Sequence, residues 1–122
     1  MSLEHKILQH GATQLLALSG RVDSASAAQL EGALQPLFTQ PAQQAVLDLS
    51  GLDYISSAGL RVILMAAKQA RASQGRLLLC GLLPQVREVF AVSGFLKILS
   101  VVPTLHEALG ELSAPPAPAA PA

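Results

Sequence analysis

Tryptophan is absent from this chain, tyrosine occurs once and phenylalanine three times. Proteins that hold single-stranded nucleic acid stack its bases on aromatic rings, and so few rings argue against that activity. Charge is scarce too. Eight basic residues balance eight acidic ones, and charged residues make up 13% of the sequence. There is no basic stripe to displace counterions from a phosphate backbone, so a nucleic-acid partner is not expected. The one cysteine, Cys80, cannot form an internal disulfide; it closes the apolar run Leu77-Leu78-Leu79 and reads as a buried, reduced thiol. Apolar residues account for 51% of the chain, yet no run approaches the roughly 18 apolar residues of a spanning helix. Met1-Ser2-Leu3-Glu4-His5-Lys6 has no apolar stretch after its one basic residue and does not read as a secretory signal. A cytoplasmic protein without membrane insertion is the expectation.

What is present suits one compact domain, since 122 residues can build one core but not two. Glu4–His10 and Thr13–Leu18, separated by Gly11-Ala12, read as neighbouring antiparallel strands. Asp23, Ser24 and Ser26 offer capping oxygens ahead of Leu30, Ala33, Leu34 and Leu37 at helical spacing, a helix expected to end before Pro41. Ala45–Leu49 reads as a strand buried on both faces. A second helix begins near Ser56 or Ser57, with Leu60, Ile63, Leu64 and Ala67 on one side and Arg61, Lys68 and Arg71 facing water. Arg76–Cys80 is another buried strand, and Pro84 opens a helix that Gly94 stops. Ile98–Val102 reads as the last strand, and Thr104-Leu105-His106-Glu107 has the pattern of a capping box opening a last helix. Strands that alternate with helices after an initial pair predict an α/β fold, one sheet with helices packed against it. Residues 1–112 would form that domain, and 113–122, alternating Pro and Ala, a disordered tail. No apolar stripe is expected to remain once the helices are packed, which favours a monomer.

The stretch Asp48–Leu64, D-L-S-G-L-D-Y-I-S-S-A-G-L-R-V-I-L, carries the chemistry. It places Ser56-Ser57-Ala58-Gly59 at the amino end of a helix, where backbone N–H groups lack partners and the dipole favours negative charge. A single N-cap needs one hydroxyl, so one of two adjacent serines stays open to a partner or to phosphate. A nucleophilic serine in a G-x-S-x-G elbow would need glycine where Ile55 stands, and His5, His10 and His106 are scattered, so no catalytic residues and no enzyme are expected. Asp48 and Asp53 flank the same loop, but bonding to loop N–H groups and solvation account for them better than a metal, and neither metal nor cofactor is expected.

Asp48–Leu64 resembles the signature of STAS domains, in particular the bacterial anti-sigma factor antagonists. Gly20-Arg21-Val22-Asp23 with the alanine-rich helix after it, and Arg76–Gly94, are similar to further segments of that family, so the resemblance covers roughly Leu3 to Leu112. It implies a mixed four- to five-stranded sheet with helices mainly on one side, and phosphorylation at Ser57. The implied partners are an anti-sigma factor with serine kinase activity, which supplies nucleotide, magnesium and catalysis, and a phosphoserine phosphatase. The implied docking surface is Val22, Asp23, Ser24, Ser56, Ser57, Gly59, Leu60 and Arg61. Where the family's best-known pattern has Asp before the acceptor, this chain has Ser56, which removes a charge and adds a second hydroxyl. STAS domains also serve as subunits of lipid-transport ABC assemblies and of other signalling complexes, a role that needs docking but not phosphorylation.

Overall fold

The computed structural model describes residues 3–39 and 41–113. The chain runs through β1 (Glu4–His10), β2 (Thr13–Val22), α1 (Ala27–Leu34), a 3-10 turn at Gln35–Phe38, β3 (Gln44–Ile55), α2 (Ser57–Ala72), β4 (Arg76–Cys80), α3 (Pro84–Val92), a second 3-10 turn at Phe95–Lys97, β5 (Ser100–Val102) and α4 (Leu105–Ser113). The five strands lie in chain order in one sheet. β1 pairs antiparallel with β2, and every later pair is parallel. This is the mixed sheet that the sequence predicts.

Side chains of alternate strand residues point to opposite faces, and the core divides accordingly. Leu16, Leu47 and Leu79 face α1, α2 and α3 through Leu30, Leu34, Ile63 and Phe90. Their neighbours Leu15, Val46, Leu78 and Cys80 face α4 through Ala108 and Leu112. The helices are therefore mainly on one side, with α4 alone on the other. Thr104 caps α4, its Oγ1 accepting from the Glu107 N–H at 3.2 Å, and Gly94, with φ of 81°, ends α3.

Four boundaries differ from expectation. Pro36 follows α1 and has no N–H to continue the α-helical ladder, so the last turn tightens to 3-10 before Pro41 is reached. β2 runs on to Val22 and β3 to Ile55, because both continue pairing through register shifts at Ala17/Ser19 and Gly20/Arg21. What reads in sequence as a connection after Leu49 is therefore strand. β5 is shorter than expected at its start: the Leu99 N–H donates to the Phe95 carbonyl at 2.9 Å, holding Ile98 and Leu99 in the preceding turn. Apolar surface also remains, with Ile7, Leu8, Met65, Val92 and Ile98 exposed. The Pro-Ala tail after Ser113 lies outside the described residues.

Candidate functional site

The extension of β2 and β3 past Gly51 builds the site. Gly51 pairs with Ser19, Leu52 with Gly20, Tyr54 with Arg21 and Ile55 with Val22. The next N–H, that of Ser56, donates to the Val22 carbonyl at 2.8 Å, so the sheet itself aims the start of α2. Ser56 has extended backbone (φ −86°, ψ 170°), and its Oγ accepts from the Gly59 N–H at 3.2 Å. This is an N-cap bond, worth about 1 kcal/mol. Ser57, one residue on, is the first residue of α2 and is exposed. The two serines thus divide the work: Ser56 satisfies the helix and Ser57 faces solvent at its positive end.

Gly59 is needed here for close approach. A Cβ would fall 2.5 Å from Cγ1 of Val22 and 2.9 Å from Cγ1 of Ile55, so only glycine lets the first turn of α2 rest on the strand ends. Val22, Gly59 and Leu60, expected on the docking surface, are buried, with Val22 at 0% and Leu60 at 3% exposed. The period-2 and helical faces that carry them turn inward, and they support the surface from below. Ser57, Ser24 and Arg61 are exposed. Asp23 is occupied locally: its Oδ1 accepts from the N–H groups of Ser26 at 2.9 Å and Ala25 at 3.0 Å. The Ser26 N–H, followed by the Ser26 hydroxyl, holds the Asp23 carboxyl below its ordinary value, so this loop is tied down by an ionised carboxylate.

Two features were not read from the sequence. Between α2 and α3 an open groove of about 480 Å³ is lined by Ser57, Leu60, Gln85, Glu88, Val89, Val92 and Ser93. Val92, 82% exposed, forms one wall, and the Val89/Val92 spacing of three was the available signal. The Arg21 guanidinium also lies over the Tyr54 ring, 4.4 Å from its centroid, a cation–π pair next in sequence to buried Val22 and Ile55. Nothing in sequence spacing pairs residues so far apart.

The remaining candidates do not converge on Ser57. His5 and His10 lie on β1 and His106 on α4, all exposed. The Asp48 carboxylate accepts from the Ser50 N–H at 3.0 Å, and Asp53 is exposed. Among the described residues no three His, Cys, Asp or Glu side chains are grouped to hold a metal ion, and no helix is long and apolar enough to cross a membrane.

A sheet with one antiparallel edge strand, three helices on one face, a fourth on the other and a capped serine pair between β3 and α2 defines a STAS-type α/β domain. The profile described as "Mlab, STAS domain" matches residues 5–111. A Bordetella bronchiseptica protein with the provisional name anti-sigma factor antagonist BtrV is 55% identical over 87 residues, 71% of this chain and 75% of that protein. An anti-sigma F factor antagonist of Paenibacillus polymyxa is 28% identical over 116 residues, 92% of this chain and 97% of its own. The crystal structure of an anti-sigma factor antagonist from Mycobacterium paratuberculosis shares the fold, with a TM-score of 0.82 at 24% identity over 90% of this chain and 93% of that one. The chain belongs to the STAS domain family.

Proposed function

We propose that this chain is an anti-sigma factor antagonist, a cytoplasmic regulator that docks on an anti-sigma factor kinase, frees the sigma factor and is switched off by phosphorylation of Ser57. The observation that carries the reading is the division between the two serines: the Ser56 hydroxyl is engaged in the cap while Ser57 stands exposed beside an apolar groove. The 55% identity to the Bordetella relative, whose name gives the same role, supports it. In this reading the chain is ligand and substrate, the kinase brings nucleotide and magnesium, and a phosphatase resets Ser57.

The electrostatics give the switch its sign. A phosphate adds about −1.5 to −2 charges. At the first residue of α2 the helix dipole favours it by roughly 0.3–1 kcal/mol, so the domain stays folded. In the complex, a partner carboxylate or nucleotide phosphate about 4 Å away repels each charge by about 4 kcal/mol at an effective dielectric of about 20, close to a thousandfold in affinity.

The test is intact-mass spectrometry with peptide mapping after incubation with ATP, magnesium and the candidate kinase. One phosphate is expected on Ser57, none on a Ser57→Ala chain, and an unchanged yield on Ser56→Ala. Ser57→Asp is expected to weaken kinase binding about a thousandfold with its melting temperature kept. Stable binding with neither serine modified would instead fit a docking subunit, as in the transport assemblies.

A further inference from the structure

The two edges of the sheet are treated differently. β5 has three residues, short enough to offer little to an incoming strand, whereas β1 has seven, all exposed. Edge strands are commonly guarded by proline, charged side chains, bulges or short length, and here the one lysine, Lys6, stands beside the apolar pair Ile7-Leu8. β1 contains no Pro or Gly, and its pairing with β2 is unbroken from Glu4↔Ser19 to His10↔Thr13. Its entry is fixed as well, since Leu3 is buried and its carbonyl accepts from Nε2 of Gln29 at 2.9 Å. Ile7 and Leu8, 48% and 49% exposed, are consecutive and so place one apolar side chain on each face of this free edge.

We propose that β1 pairs antiparallel with β1 of a second copy of this chain across a two-fold axis at Ile7, joining two sheets into one. The sequence of the strand selects that register. With the axis at Ile7 all of β1 is paired: Ile7 faces Ile7, Lys6 faces Leu8, His5 faces Gln9, and Glu4 faces His10 at both ends. Opposite residues of an antiparallel pair must share parity, so the nearest alternatives move the axis by one residue. At Lys6 the axis sets two ammonium groups face to face and pairs only residues 4–8; at Leu8 it sets Lys6 against His10 and pairs only 6–10. The strand pairs along its whole length in one register only, and facing ammonium groups disfavour the register centred on Lys6. A two-fold makes the contact isologous and closed, so it yields a dimer rather than a filament. The strand is far smaller than the roughly 20–30 residues a side of a standard interface, so the dimer is concentration-dependent. No residue of β1 belongs to the Ser57 surface, which stays free on both copies.

Sedimentation of the full chain from low-micromolar to millimolar concentration tests this, together with three substitutions on the exposed strand. The expected result is a mass that rises toward two chains with concentration, and a monomer at every concentration for Ile7→Lys, with unchanged circular dichroism. Opposite residues sit about 4.5–5.5 Å apart between Cα atoms, within disulfide reach. Mild oxidation should therefore cross-link Ile7→Cys into a covalent dimer much faster than Leu8→Cys, whose thiol faces Lys6. A monomer at millimolar concentration, a dimer that survives Ile7→Lys, or equal cross-linking by the two cysteine variants would each overturn the proposal.

Discussion

Three helices and two 3-10 turns lie along one face of the sheet, and a single nine-residue helix covers part of the other. On the first face the core is continuous from Leu3 to Leu99 and includes Val22, Ile55, Gly59's neighbours and Leu60, the floor beneath Ser57. On the second it is a patch of Leu15, Val46, Leu78 and Cys80 under Ala108 and Leu112. The deep face holds the start of α2, and with it the exposed Ser57, in a fixed place, because close-packed interiors resist deformation. Neither face covers β1, which is exposed along its whole length, with Ile7 on the deep side and Leu8 on the thin one.

The largest effect should come from the deep face. Phe90 is fully buried there, and Phe90→Ala is expected to cost about 3–5 kcal/mol by urea unfolding. Leu112→Ala, at the end of the helix on the thin face, should cost about 2 kcal/mol, the low end for a buried leucine, because α4 can settle toward the sheet. Equal losses would break the distinction between the faces.

A pH effect sharpens it. Burial, and secondarily the charge of Asp48, pushes the Cys80 thiol up from 9.0 to about 12. The unfolded chain therefore releases this proton first. The stability held by the neutral thiol is complete below pH 9.0 and is lost as pH rises through that value toward about 12. Urea midpoints should fall across this window, and Cys80→Ala should fall less steeply than the parent; parallel slopes would mean that the thin face admits water to the thiol.

The smallest effect separates the two serines. Ser56→Ala removes the bond to the Gly59 N–H and should cost about 1 kcal/mol, while Ser57→Ala, exposed and uninvolved in the cap, should stay within about 0.5 kcal/mol. Reversed values would exchange their roles.

Much of this was legible in the residues. Arg76–Cys80 is a strand at the expected bounds because Leu77, Leu78 and Leu79 must be buried on both faces, and Pro84 and Gly94 bracket α3 as their backbone chemistry requires. The Ser56-Ser57 pair was singled out from its place after a strand and before an amphipathic run, and Ser57 within that pair from the resemblance to STAS domains. The continuation of β3 was not legible: Ser50, Gly51 and Asp53 look like a turn, and they are strand only because β2 supplies partners across two register shifts. The groove, the Arg21–Tyr54 pair and the inward turn of Val22, Gly59 and Leu60 were likewise hidden, since each depends on elements far apart in sequence.

Local chemistry in the sequence set the alternation of strands and helices, the caps at Ser56 and Thr104, and the presence of two serines where α2 begins. Those choices depend on hydrophobic period and on backbone groups that must find partners within a few residues. Tertiary structure decided which serine is free, which of its neighbours are floor and which are surface, and which edge strand is left uncovered. Those outcomes follow from where β2, α2 and α3 meet, and a contact between distant segments leaves no periodicity in either one.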